Sequence, residues 1–355
     1  MTSAKSAHVV GLGLIGASLA LALRGAGWRV SGDDADPTTV ELALARGVID
    51  QSIPAGDVAL IVIATPAGVV SEIAHEYLAR LDDPRLIITD VAGVKGAIVR
   101  DVSAPRFVGG HPMAGSELRG LAGARADLFQ GCTWVLTPTE ATPPDVYGRL
   151  HGYLREIGAN VVAVSSADHD RLVALASHVP HLLAGALMNQ AADAAREDAV
   201  LLQLAAGGFR DMTRIAAGDP AIWPDILFEN RDAINVALTS LEERLSDLRG
   251  ALVTGDRPSL FESLQRAAQA RRQLPGRALS SEDMAYLRVL IADRPGSLAQ
   301  VTMTASEMLV NIYDIEIAHA IEGNRGTLLL AVDAREAERF MAALRRQDFG
   351  VVRET

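Results

Sequence analysis

Three stretches of this sequence carry side chains whose types and spacing could do chemistry. In Gly109-Gly110-His111-Pro112-Met113-Ala114-Gly115-Ser116-Glu117 a histidine lies between a glycine pair and a proline, a setting that suits a core residue poorly. Glycines beside it leave room for a ligand to approach closely. With an unperturbed pKa near neutrality, His111 is a candidate general base or hydrogen-bond acceptor. The second stretch is Ser165-Ser166-Ala167-Asp168-His169-Asp170, followed by Ser177-His178-Val179-Pro180-His181. His178 and His181 fall one helical turn apart, and Pro180 should kink the helix there. A metal site with His169 or a nearby Asp as third ligand is the rival reading. Helical ligands often use i, i+4 spacing and no H-E-x-x-H pattern is present, so no metal is expected. The third stretch is Gly207-Gly208-Phe209-Arg210-Asp211-Met212-Thr213-Arg214-Ile215-Ala216. Arg214 follows Asp211 by three residues on one helical face, which suits a surface ion pair. An arginine after two glycines equally suits a bidentate clamp on a carboxylate.

These side chains need a partner reagent, and the N-terminus supplies a site for one. Gly11-Leu12-Gly13-Leu14-Ile15-Gly16 follows a β-branched run and opens a helix. Gly11 permits the tight turn, Gly13 lets backbone approach a pyrophosphate, and Gly16 allows helix to pack on strand. The pyrophosphate would sit at the positive end of that helix. The second strand ends at Asp33-Asp34, about 20 residues on, where an acid bonds a ribose 2′-hydroxyl. Alternation from Val30 and Gly32 favours Asp34. An acid there repels a 2′-phosphate and no Arg follows closely, so the cofactor should be NAD. Ligands of open α/β sheets bind beyond the strand ends. Thr65-Pro66 and the Thr89-to-Lys95 segment end two other strands, and Thr65, Pro66 and Gly93 join Leu14 and Ile15 as cofactor candidates.

The elements that must hold these groups follow from periodicity. HVVGLG, WRVSGDD, VALIVIATP, RLIITDVAG, RFVGGHPM, CTWVLTP and ANVVAVS read as strands. Ser18–Ala26, Pro37–Arg46, Val69–Leu81, Lys95–Val102 and Pro144–Ile157 read as helices between them. This alternation predicts an α/β fold with an N-terminal Rossmann-type, doubly wound and largely parallel sheet over 1–165. An all-α second domain over 166–275 follows, where apolar residues recur at helical spacing. A linker over 276–284 leads to a C-terminal βαββαβ, ferredoxin-like unit over 285–355.

Composition excludes several partners. A net charge of -11 argues against nucleic acid or an anionic membrane surface, so an anionic substrate must meet a local cluster of Arg, Lys or His. The lone Cys132 forms no intrachain disulfide and fits a reducing compartment. The N-terminus lacks a secretory h-region, and the apolar run Val58 to Val70 is too short to span a bilayer. A cytoplasmic protein is expected.

Taken in order, GLGLIG, the aspartate after the second strand, TDVAGVKG, FVGGHPMAGSE, HD…SHVPH, GGFRDMTRIA and DPAIWPDILFEN resemble the prephenate/arogenate dehydrogenase (TyrA) family over nearly the whole chain. The segment from Tyr286, with Asp293-Arg294-Pro295-Gly296-Ser297-Leu298, is similar to an ACT domain, a regulatory module that binds amino acids. No chorismate mutase helix precedes the glycine turn, which implies a monofunctional form. The resemblance implies oxidative decarboxylation of prephenate by NAD to 4-hydroxyphenylpyruvate in tyrosine biosynthesis. His111 would accept the hydrogen bond, and finally the proton, of the 4-hydroxyl. Arg214 would hold a substrate carboxylate. Ser116, Glu117, His178 and His181 would line the pocket, and Arg210 stands where other members carry lysine. Tyrosine would bind near Asp293, Pro295 and Gly296 and inhibit a homodimer. One departure stands out: where the family commonly places a serine beside the catalytic histidine, this chain has Gly93, which should give the nicotinamide more room.

Three other readings remain. Arogenate differs from prephenate by an amino in place of a keto group, so a few contacts decide between them. β-Hydroxyacid dehydrogenases use a lysine in the helical domain, where this chain has none after Lys95. A catalytically silent sensor of NAD and amino acids would keep the glycine turn but not the role of His111.

Overall fold

The computed structural model describes residues 5–114, 118, 120–198, 200–218, 220, 222–273, 284–292, 294, 296–319 and 325–353. The chain divides into two compact units, Met1–Glu243 and Arg244–Thr355.

The first unit opens with β1 (Ser6–Val10), α1 (Leu14–Gly25), β2 (Arg29–Asp33), α2 (Pro37–Ala45), β3 (Leu60–Ile63) and α3 (Ala67–Arg80). It continues with β4 (Ile87–Asp90), α4 (Gly96–Asp101), β5 (Phe107–Pro112), β6 (Thr133–Thr137), α5 (Pro144–Glu156) and β7 (Asn160–Ala163). The strands lie in the order β2-β1-β3-β4-β5-β6-β7. All neighbours are parallel except β5 and β6, as the βα alternation predicts. Strands β1, β3 and β4 are buried at every position, which is why β3 reads as an unbroken apolar run, while Ser6, His8, Thr89 and Asp90 are buried polar members of the other two. Successive side chains feed opposite layers. Leu60 and Val62 pack with Leu19 and Leu23 of α1, whereas Ile61 and Ile63 pack with Val70 and Tyr77 of α3. The strand order reverses between β1 and β3, so the crevice at their carboxyl ends is the place for a ligand.

The unit continues with helices α6 (Ser166–Val173), α7 (Val179–Ala194), α8 (Gly207–Thr213), α9 (Trp223–Glu229) and the start of α10 (Arg231–Thr254). Ser165 caps α6 by accepting from the Asp168 amide at 3.0 Å. A π-helical turn over Ala174–His178 joins α6 to α7. Pro180 explains it: proline has no N–H to donate and its ring crowds the carbonyl four residues back, so the ladder slips by one residue. The proline therefore widens the helix one turn early instead of simply kinking it. The continuous run 166–194 is long and apolar enough to cross a membrane by length and composition, although the apolar run Val58 to Val70 is not. It begins with Asp168, His169, Asp170 and Arg171, groups that are costly in a bilayer, and Asp170 ties it to the sheet by hydrogen bonds.

The second unit holds the end of α10, α11 (Arg257–Arg272), β8 (Met284–Ala292), α12 (Ser297–Glu307), β9 (Ile312–His319), β10 (Arg325–Asp333), α13 (Ala334–Arg346) and β11 (Gly350–Arg353). The sheet order is β11-β8-β10-β9, with every pair antiparallel. Along β8 Ala285, Leu287, Val289 and Ile291 are buried while Tyr286, Arg288 and Leu290 are exposed. That alternation marks a sheet covered on one face. Phe340 and Leu344 of α13 complete its core. The expected linker lies almost wholly outside the described residues, and Met284 already belongs to β8.

Candidate active site

The glycine turn has the geometry its spacing predicts. Gly11 has φ +91°, and a Cβ there would meet the Ala64 carbonyl oxygen at 2.5 Å. A Cβ on Gly16 would lie 1.9 Å from the Gly11 oxygen, so the first turn of α1 packs against the loop itself. Gly13 has open space where its Cβ would be. Asp34 accepts from the Leu12 amide at 2.7 Å and from the Asp36 amide at 3.0 Å, which aims its carboxylate along the turn. Asp33 instead approaches the buried His8, with its Oδ2 3.6 Å from Nε2.

In front of the turn is a cleft of about 840 Å³ within the first unit. Gly13, Leu14, Ile15, Thr65, Pro66 and Gly93 line the sheet side. His181, Arg214 and Trp223 line it from the helices. The Oγ1 of Thr65 is buried with no hydrogen-bond partner among the described residues. A buried hydroxyl without a partner needs an explanation, and a polar group entering the cleft supplies one. The open cradle at Gly13 and the unmet Thr65 hydroxyl together fit a dinucleotide.

His111, next to last in β5, lies behind Gly93 and is not itself among the described residues lining the cleft. A Cβ on Gly93 would sit 3.8 Å from both Cε1 and Nε2 of its ring. The glycines before it serve a purpose other than the one their position suggests. A Cβ on Gly110 would lie 2.6 Å from the Asp90 carbonyl, and one on Gly109 would lie 2.5 Å from Thr137 Oγ1 and 3.3 Å from Lys95 Cδ. They let β5 pack closely on the β4 backbone, on Thr137 of β6 and on the Lys95 stem, and leave no space there for a ligand. Lys95 Nζ donates to Asp90 Oδ2 in an ion pair, both side chains being fully buried. Asp90 also accepts from the Ala92 amide at 3.0 Å and the Gly110 amide at 3.1 Å. The pair thus ties β5, which carries His111, to the turn that follows β4.

The His111 ring is held from its other edge. Its Nδ1 lies 2.8 Å from His169 Nε2, and His169 Nδ1 lies 2.8 Å from Asp170 Oδ1. Asp170 accepts from the amides of Lys95 at 2.8 Å and Gly96 at 2.7 Å. Asn230 donates to the Asp170 carbonyl at 2.8 Å and contacts His178 Nδ1 at 3.1 Å. His178, only 2% exposed, therefore braces α6 against α9 and α10 and is not among the described residues lining the cleft. His181 does line it, stacked on Trp223 with centroids 3.6 Å apart and planes at 14°.

Burial, reinforced by His169, Lys95 and His178 and opposed by Asp170, pushes His111 down to about 3. Burial also lowers His178 and His181. Burial works the other way on Asp170, yet hydrogen bonds from His169, Lys95 and Gly96 hold its carboxyl below the usual range. The local positive charge expected from Arg, Lys and His is thus narrower than the sequence implies. The histidines are neutral, and Arg214 is the one Lys or Arg among the described lining residues. Burial also raises the Cys132 thiol, in keeping with a packing role.

Arg214 starts a 3₁₀ turn, Arg214–Ala217, just after α8. Arg210 is exposed, donates to the Ala205 carbonyl at 3.2 Å and is not among the described lining residues. Ser116, Glu117, Asp293 and Pro295 lie outside the described residues. Gly296, with φ +94°, precedes α12 in the second unit. Sequence reasoning gives Asp90, Lys95, Asn230 and Trp223 no role at the site, and weighs His169 and its neighbouring aspartates only as metal ligands. The adjacent His169-Asp170 was the available signal, since a carboxylate next to a histidine is a common way to orient an imidazole.

Comparison with known proteins agrees with this geometry. Residues 19–163 match the family model described as prephenate dehydrogenase, nucleotide-binding domain, and residues 165–266 match prephenate dehydrogenase, dimerization domain. The prephenate dehydrogenase of Bacillus subtilis is 33% identical over 356 residues, covering 94% of this chain and 95% of its own. A crystal structure of prephenate dehydrogenase from A. aeolicus, in complex with hydroxyphenyl propionate and NAD+, superposes with a TM-score of 0.71 at 30% identity, covering 77% of this chain and 99% of that one. Synechocystis arogenate dehydrogenase gives a TM-score of 0.67 at 33% identity, covering 76% and 100%.

Proposed function

This chain belongs to the prephenate dehydrogenase family, and from that premise we propose that it converts prephenate to 4-hydroxyphenylpyruvate by NAD-dependent oxidative decarboxylation in tyrosine biosynthesis. The carrying observation is the His111 ring: neutral, anchored at Nδ1 and beside the Gly93 wall of the cleft that Arg214 also lines.

NAD supplies the hydride acceptor. The backbone from Gly11 to Gly16 and the N-terminus of α1 receive the pyrophosphate. Asp34 takes the ribose 2′-hydroxyl and repels a 2′-phosphate. Arg214 pairs with a substrate carboxylate through charge-assisted hydrogen bonds, and His181 bounds the pocket. His111 Nε2 accepts the proton of the 4-hydroxyl as the oxygen gains carbonyl character, an interaction that strengthens toward the transition state. When carbon dioxide leaves C1, its bonding pair aromatises the ring and His111 returns the proton to the phenolic oxygen. No net proton is released.

The domain reading of 1–165, 166–275 and 285–355 accompanies this function. A homodimer is supported by the match to a dimerization domain and by Leu172, Leu175 and Leu183, which are 47%, 65% and 37% exposed in the single chain. The order β8-α12-β9-β10-α13-β11 supports a ferredoxin-like ACT module, with Gly296 in its ligand turn and tyrosine as the effector. Cytoplasmic residence suits a biosynthetic enzyme with one free cysteine. Similarity to an arogenate dehydrogenase keeps arogenate as the second substrate to test.

The test is the steady-state rate of NADH formation with each substrate, with and without tyrosine. Prephenate should give the larger kcat/KM, and tyrosine should inhibit the wild type but not Gly296→Val. NADH from arogenate alone would reassign the substrate. NADH from neither would favour a silent sensor.

A further inference from the structure

We propose that His169 and Asp170 are positioning residues that fix His111 in the tautomer with Nδ1 protonated and Nε2 bare toward the cleft. The inference rests on the reading of His111 as proton acceptor and adds what makes that atom available.

The chain of donors and acceptors has a fixed end. Asp170 receives the Lys95 amide at Oδ1 and the Gly96 amide at Oδ2, at 2.8 and 2.7 Å. Two such donors favour the ionised carboxylate, which is an acceptor only. His169 Nδ1, 2.8 Å from Oδ1, must then be the donor. In a neutral imidazole the second nitrogen accepts, so His169 Nε2 accepts from His111 Nδ1 across 2.8 Å. His111 Nε2 keeps its lone pair. On that side Gly93 has no side chain to hold the ring, so among the described residues the Nδ1 contact is the hydrogen bond that orients it.

Charge supports the same direction. With the histidines neutral, Lys95, Asp90 and Asp170 leave the cluster one negative charge, so a proton arriving at His111 Nε2 brings it to neutrality. The two backbone amides at the start of α4 hold Asp170 in its ionised form. His169 itself is 1% exposed, which keeps water from competing for His111 Nδ1.

Two substitutions of His169 separate positioning from packing. His169→Gln keeps an acceptor near the former Nε2, whereas His169→Leu keeps volume without one. Nitrogen-15 NMR of histidine-labelled full-length protein, free of substrate, should show His111 protonated at Nδ1 in wild type and His169→Gln, and a tautomer mixture in His169→Leu. Turnover should fall about 10²-fold or more in His169→Leu and about 10-fold or less in His169→Gln, with NAD affinity within about twofold in both. Wild-type His111 protonated at Nε2, or equal losses of kcat in the two variants, would overturn the proposal. If His169→Leu does not fold, the wild-type tautomer and the His169→Gln rate still decide it. A wild type with the Nδ1–H tautomer that turns over no prephenate would contradict the functional reading alone. An active enzyme with the opposite tautomer would contradict this inference alone.

Discussion

The two walls of the cleft in the first unit are built by different means. On the sheet side, backbone does the shaping: Gly11, Gly13 and Gly16 lie within six residues, and Asp34 reaches the Leu12 amide from the end of the adjacent strand. Behind the cleft, where the helices meet β5 and the turn after β4, hydrogen bonds between distant residues do it: His111 to His169, the Lys95 amide to the Asp170 carboxylate, and Asn230 to the Asp170 carbonyl. A wall made of backbone tolerates the loss of one side chain. A chain of buried hydrogen bonds does not, because each lost partner strands the next.

That contrast orders the expected effects of mutation. His111→Asn removes the acceptor and should lower kcat by about 10²–10⁴-fold, with NAD affinity unchanged by fluorescence titration. A loss under tenfold would place the acceptor elsewhere. Arg214→Leu should raise the KM for prephenate by about 10–10²-fold, the worth of charge-assisted hydrogen bonds to a carboxylate. An equal rise in the KM for NAD would move Arg214 to the cofactor side. Asp34→Ala should raise the KM for NAD by roughly tenfold, narrow the preference over NADP and leave prephenate untouched. A larger effect than that of Arg214→Leu would break the comparison between the walls.

Acid stability gives the smallest effect. Burial lowers His111 to about 3 and also lowers His178 and His181. In the unfolded chain these imidazoles take up protons near pH 6.5. Below that pH the unfolded state binds more protons than the folded one, so stability, full above pH 6.5, is lost as the pH falls toward 3. Thermal melts at pH 7.5 and pH 5 should show a decline of a few degrees, smaller in His111→Asn. An unchanged decline in that variant would show that His111 does not contribute it.

The same contrast explains what could be read before the structure. The glycine turn, its acid and the strands around it are local patterns, and each maps to backbone geometry within one βαβ unit. Their positions followed directly. The relay did not, because its contacts join residues 58 to 75 positions apart, and no short pattern records a hydrogen bond over that span. Gly109 and Gly110 misled for a related reason. A glycine announces close approach, but not what approaches, and here it is Thr137 and Val99 at Gly109 and the Asp90 backbone at Gly110. His178 was placed correctly on its helix and still assigned to the pocket, because periodicity gives a face and not the neighbour that fills it. The π turn before Pro180 decides that neighbour.

The most direct test of the central claim follows both products of one reaction. Wild-type protein with prephenate and NAD should release NADH and carbon dioxide in a one-to-one ratio, and His111→Asn should slow both together. NADH without carbon dioxide, or a His111→Asn variant as fast as wild type, would contradict the account.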